Sequence, residues 1–174
     1  MPGYGLLPAG EGTGLLPWSW AEEKLTACRN YWLVSVWPDG RPHTMPVWGM
    51  WHEGMLWFSS SKGSRKSRNL IADSRCVVAT EDTQNPVVVE GTAELVSSPR
   101  DLATMLALEN AKYSTDYGIE SLDPAVNSSF RVRPHRVFGM EASDFTGSPT
   151  RWDFGPPRKA QTRTRSSPPR SRQP

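Results

Sequence analysis

Three runs rich in apolar, β-branched and aromatic residues, NYWLVSVW, RPHTMPVWGMW and MLWFSSS, follow one another from Asn30 to Ser61 with only PDG and HEG between them. No other feature limits the fold as much, because turns this tight join antiparallel neighbours. In the first turn Pro38 presets φ and Gly40 is free to take a positive φ. Pro42 and Pro46 lack the backbone N–H that an inner strand needs, so the second run belongs at a sheet edge or in an irregular segment. The three runs are expected to form an antiparallel meander.

The rest of the chain supports a mainly β fold. Trp18 to Arg29 has acids early and bases late, which suits a short helix, with Ser19 as the expected N-cap and Glu22 as its capping-box partner. Ser64 to Ala72 reads as a second short helix capped by Ser64. RCVVATE and PVVVEGTAELV are strands, and Gly91 within the second marks a bulge or a close backbone approach. A third helix is expected from Pro99 to about Asn110, then a lid-like loop over 112–129, then closing strands in FRVRPHRVFGME and TRWDF. The economical architecture is a closed or nearly closed antiparallel barrel with peripheral helices.

At 174 residues the chain suits one domain with tails. Residues 1–17 contain five glycines and three prolines and read as a flexible N-terminal segment, 18–155 as the barrel domain and 156–174 as a disordered basic tail. The tail holds six of the 20 basic residues and no acid, so the overall charge of +2 conceals a body with 14 basic and 18 acidic residues, a net −4. A tail of this kind can hold nucleic acid or anionic lipid. The simpler reading is a solubilising extension. Cys28 and Cys76 have no paired spacing and are expected as free thiols in a reducing cytoplasm. No stretch approaches the ~20 apolar residues of a membrane span.

His43, His52 and His135 lie on separate segments and form no ligand cluster, so no metal site is expected. There is no GxSxG, and no spacing among Glu81, Asp82, Glu90 and Glu94 singles out a catalytic pair. GSRKSRNL, residues 63–70, is the remaining chemical candidate. Arg65, Lys66 and Arg68 sit at the start of a short helix after a serine-rich strand end, where helix N–H groups, hydroxyls and cations can converge on an anion. The residues themselves leave open an anion site or a solvated charged turn.

Taken in order, PDGRPHTMPVWGMW, MLWFSSSKGSRKSRNLIADSRCVVAT and VVVEGTAELV resemble the pyridoxamine 5′-phosphate oxidase-like flavin-binding split-barrel superfamily. Within it the sequence is most similar to the actinobacterial flavin/deazaflavin-dependent oxidoreductases. LLPWSWAEEKL and SPTRW extend that resemblance, so that it covers about Leu15 to Phe154. It implies a split barrel that dimerises, with two cofactor sites at the subunit interface. By the same resemblance, Thr44, Met45, Pro46, Val47, Trp48 and Gly49 carry the isoalloxazine-type ring along their backbone. Ser59 and Ser60 match the strand end touching the ribityl and phosphate portion. Ser64, Arg65 and Lys66 match the phosphate signature, Asn69 supports its loop, and Lys112 and Tyr113 match a pair near the substrate pocket. The Arg and His that serve vitamin B6 oxidation have only a superficial counterpart in Arg133–Arg136, so that activity is not expected.

What the resemblance implies is a cytoplasmic homodimeric oxidoreductase that transfers hydride from reduced coenzyme F-420 to an unsaturated small molecule. Trp48 and Tyr113 are candidates for the substrate face, and no general acid is assigned. FMN is the alternative cofactor, and a non-catalytic flavin or deazaflavin carrier is the alternative function. F-420 differs beyond the phosphate by an acidic tail, for which Lys62, Arg65 and Arg68 are available.

Overall fold

The strand β1 (Asn30–Val36) buries Tyr31, Leu33 and Ser35 and turns Trp32 outward, the period of two that a sheet with one packed face imposes. The computed structural model describes residues 5–7 and 10–155; the basic tail therefore lies outside the described residues. After β1 come β2 (Pro42–Trp48), β3 (Met50–His52), β4 (Met55–Ser61), β5 (Arg75–Thr80), β6 (Val87–Val96), β7 (Asn127–Gly139) and β8 (Thr150–Asp153). Three helices join them: α1 (Trp18–Ala27), α2 (Arg65–Ala72) and α3 (Pro99–Tyr113). The strands make one antiparallel sheet in the order β2-β1-β5-β6-β7-β4-β3, with β8 also on β7, curled into a split barrel with helices at its periphery.

The sheet separates two cores. Inside the barrel, Tyr31, Leu33, Leu56, Phe58, Val89 and Phe130 pack together. On the outer face, α3 lays Leu102, Met105 and Tyr113 over Met50, Trp57 and Val96. The outer face of β1 and β2 is open around Trp32, which is 47% exposed, while Trp48, 44% exposed, has one ring face stacked on Tyr113. At the α1 end, Trp18 packs edge-on against Trp152 and Phe154, with ring centroids 5.6 and 4.9 Å away. The N-terminal approach is tied down as well. Gly14 donates to the carbonyl of Gly147, and the Leu16 N–H to the hydroxyl of Thr150.

Several expectations match. Pro42 and Pro46 lie in β2, which is an edge strand. Gly40 takes φ +88°, and the second turn places Glu53 and Gly54 both at positive φ, as a tight hairpin requires. Gly91 marks a register shift between β6 and β7. A Cβ there would come within 2.4 Å of the Arg133 carbonyl oxygen, so only glycine admits this approach.

Other expectations are corrected. Ser19 does not cap α1: the cap lies two residues earlier, at Pro17, which makes no side-chain hydrogen bond, and the helix begins at Trp18. The Pro17 carbonyl accepts the Trp20 N–H instead, and Trp18 is drawn into the first turn by its aromatic partners. The first three apolar runs are not a continuous meander. The second breaks at Gly49, so β1–β2 and β3–β4 are separate hairpins at opposite ends of the sheet order. Helix α3 continues past Asn110 to Tyr113, because Tyr113 is a buried anchor of the outer core. The loop expected over 112–129 is accordingly shorter. It contains a 3-10 turn at Ile119–Leu122, and β7 takes over at Asn127.

Candidate cofactor site

At its end β4 turns into α2, and the serines there build a cradle. The Ser64 hydroxyl accepts the Ser67 N–H at 3.2 Å as the N-cap, donates to the Ser67 hydroxyl at 3.0 Å and lies 3.1 Å from the Ser60 hydroxyl. Ser59 and Ser60 do not act together, because alternation along β4 sends neighbouring side chains to opposite faces. Ser60 follows Leu56 and Phe58 of the barrel core toward the cradle, whereas Ser59 shares the outer face with Trp57.

Three cations surround this helix start. Arg65 places its guanidinium over the Trp37 ring, 3.8 Å from the centroid, and Arg41 approaches the same ring at 4.7 Å. A guanidinium held over a ring by cation–π attraction still has N–H groups to offer an anion. Among the described residues, no carboxylate pairs with Arg65, Lys66 or Arg68. Asn69 is buried behind them and donates to the Ser35 hydroxyl at 3.1 Å, which fastens α2 to β1. The side-chain oxygen of Asn69 and Nδ1 of His43 are buried there without partners. His43 pairs with Ser35 across the β1–β2 ladder, so both orphaned atoms lie around the same barrel mouth.

Strand β2 pairs with β1 from Pro42 to Trp48 and leaves its other edge free. Thr44, Met45, Pro46 and Trp48 are exposed along it, while Val47 and Gly49 are buried. Lys112 and Tyr113 come to the end of this strand from the last turn of α3. The Tyr113 hydroxyl accepts the Gly49 N–H at 2.7 Å, and the Lys112 ammonium donates to the Gly49 carbonyl at 2.7 Å. The rings of Trp48 and Tyr113 stack at 4.3 Å, nearly parallel. Burial pulls the Lys112 pKa below the usual lysine range and pushes the Tyr113 phenol up.

The structure thus gathers Ser60, Ser64, Arg65, Lys66 and Asn69 at one barrel mouth, and gathers Trp48, Gly49, Lys112 and Tyr113 at the end of β2. Two neighbours are not signalled by the sequence. Trp37, which orients Arg65, is far from it in the chain and belongs to no motif. Glu109 lines a cleft of about 200 Å³ with Ser59, Ser60, Tyr117, Ser121 and Asn127, and burial raises its carboxyl pKa. Only the turn after Tyr113, where the Asn110 side chain bonds to both Thr115 and Tyr117, brings those groups together.

The sequence pattern of the pyridoxamine 5′-phosphate oxidase family matches residues 21–144. The chain belongs to that family. The fold is one that typically binds flavin-type cofactors. None of the curated proteins matches the sequence as a relative. Among solved structures, a conserved hypothetical protein of Mycobacterium tuberculosis superposes with a TM-score of 0.63 at 21% identity, over 79% of this chain and 85% of its own. A protein titled F420 reductase superposes at 0.56 and 24% identity, over 67% and 94%. A putative pyridoxamine 5′-phosphate oxidase of Listeria innocua also reaches 0.56, at 17% identity, over 67% and 92%. These likenesses show the shared fold. A phosphorylated flat cofactor fits the residues present: cations without acidic partners at a capped helix start, a linked set of serine hydroxyls beside it and an open strand edge.

Proposed function

We propose that the protein is a homodimeric oxidoreductase that binds coenzyme F-420 and reduces an unsaturated small molecule. The observation that carries this reading is the start of α2, where linked serine hydroxyls, the N-terminal N–H groups of the helix and three cations without acidic partners lie within residues 60–68. When bound, the reduced deazaflavin supplies the hydride. The chain's own residues do the rest. Lys66 and the edge of Arg65 would neutralise the phosphate, and Ser60 would donate to it by turning its hydroxyl away from Ser64. The open edge of β2 offers backbone groups to the ring, and Trp48 shields it at one end. Support for F-420 over FMN comes from the fold neighbour titled F420 reductase and from Arg65 and Arg68, which can meet an acidic tail beyond the phosphate. Lys62 contributes less than its charge suggests, since its ammonium is bonded to the Pro124 carbonyl at 3.2 Å.

A dimer is supported by the open outer face of β1 around Trp32, which a second subunit would bury together with the exposed part of Trp48 beside the ring strand. Free thiols at Cys28 and Cys76 and the lack, among the described residues, of a helix long and apolar enough to cross a membrane are in keeping with work in the cytoplasm.

Titration of the apoprotein with F-420 and with FMN, followed by turnover of reduced F-420 with enone and quinone acceptors, tests the proposal. The expected result is tighter binding of F-420 and oxidation of its reduced form on addition of acceptor. Tighter FMN binding would transfer the same site to that cofactor. Binding without turnover would make the protein a carrier, and binding of neither would reject the cradle as a cofactor site.

A further inference from the structure

We infer that Tyr113 and Lys112 are positioning residues that hold the ring-bearing end of β2 through the Gly49 peptide, and do not line a substrate pocket. The inference rests on the proposed role of β2 as ring support.

The chain leaves β2 at Trp48 and enters β3 at Met50, at the other end of the sheet order. The peptide groups of Gly49 lose their ladder partners at this break. Gly49 is buried, so water cannot replace those partners, and an unmet buried peptide group is costly. Two adjacent side chains of α3 take over. The Tyr113 hydroxyl accepts the Gly49 N–H, and Lys112 donates to the Gly49 carbonyl, each at 2.7 Å. A hydroxyl has one proton to give, and that of Tyr113 goes to the Arg29 carbonyl at 2.6 Å rather than to the Gly49 carbonyl at 3.1 Å.

The lysine continues the chain of bonds. It donates to the Tyr31 hydroxyl at 3.1 Å, and Tyr31 in turn donates to the Leu25 carbonyl in α1. The end of α1, the start of β1, the end of β2 and the end of α3 therefore meet at one peptide. Packing holds it from the barrel side too, where a Cβ on Gly49 would lie 3.1 Å from the side chains of both Leu56 and Tyr31. Tyr113 is 5% exposed and gives one ring face to Trp48, which leaves it no face for a substrate. The same stack fixes the orientation of Trp48, the last side chain of the ring strand.

The test compares Tyr113→Phe, Lys112→Met and Lys112→Arg with the wild type, using FMN and F-420 as whole cofactors and inorganic phosphate as a ligand without a ring. Tyr113→Phe and Lys112→Met are expected to weaken binding of the preferred cofactor by about tenfold or more and to shift the absorption band of the bound ring, with phosphate affinity changed by less than about twofold. Lys112→Arg, which keeps a donor, is expected to retain binding. Amide hydrogen exchange needs no cofactor. The Gly49 amide should be protected in the wild type and exchange faster in Tyr113→Phe, with β5 and β6 unaffected.

An unprotected Gly49 amide in the wild type overturns the clamp, whatever the cofactor. So does a Tyr113→Phe variant with wild-type exchange, affinity and ring spectrum, or one that loses phosphate and ring binding equally. If Tyr113→Phe does not fold, Lys112→Met decides by the same readouts. A wild type that binds neither cofactor but protects Gly49 rejects the proposed function and leaves the clamp standing.

Discussion

Lys66 makes no ion pair among the described residues, so its charge is available for a ligand and idle in the fold. Lys66→Ala is expected to weaken cofactor binding by ~1.5 to 3 kcal/mol, the scale of a charge-assisted hydrogen bond, and to leave stability within about 0.5 kcal/mol. Calorimetric titration and a denaturant melt measure the two effects; an unchanged dissociation constant would remove Lys66 from the anchor. Cys76 behaves in the opposite way. Its thiol is buried and its pKa pushed up to about 12, by desolvation above all. The folded state therefore holds this proton where the unfolded chain releases it. Stability from the protonated thiol is full below about pH 9 and falls by about 1.4 kcal/mol per unit as pH rises from there toward 12. Melts between pH 8 and 11 should show that alkaline loss, reduced in a Cys76→Ala variant if the variant folds. At this scale the sequence makes Ser64 legible, because a cap acts on its own next turn. It does not reveal that Arg65 rests on Trp37, because that stack joins two elements whose approach depends on the whole sheet.

Helix α2 couples local stability to the site. Ser64 is at once its N-cap and a member of the cradle, whereas Ser98 caps α3 through the Asp101 N–H alone. Each serine-to-alanine change is expected to cost about 0.5 to 2 kcal/mol of stability. Only Ser64→Ala should also weaken the cofactor, so equal binding by both variants would argue against the cradle. In β6, Gly91→Ala has to push a Cβ against the Arg133 backbone and is expected to destabilise by about 1 to 3 kcal/mol, read from the denaturation midpoint. The role of Gly91 is legible in the sequence because a glycine inside an apolar strand weakens it, and is kept where the strand bulges or another backbone comes close. The end of α3 is not legible in this way. AKYSTDYG is polar by composition, and only the burial of Tyr113 against Met50 and Trp57 carries the helix into it as far as Tyr113.

Among the described residues the outer sheet face around Trp32 is left uncovered, and the proposed dimer depends on it. Trp32 is outward and 47% exposed on β1, beside Pro46 of the ring strand. Trp32→Glu is expected to shift the protein from a dimer to its 19.4-kDa monomer in sedimentation and to weaken cofactor binding with it. A variant that remains dimeric would place the interface elsewhere.

The sequence by itself determined most of the strands, the two tight turns, the edge position of β2, the cap at Ser64 and the glycine bulge in β6. Each of these is set within a few residues, by side-chain alternation, by the missing N–H of proline or by the missing Cβ of glycine. The tertiary structure decided which hairpins become neighbours, how far α3 runs, which described face is left open around Trp32 and which peptide the lysine–tyrosine pair bonds. Those outcomes depend on burial and on unmet peptide groups at Gly49, which exist only after distant segments have closed the barrel around them.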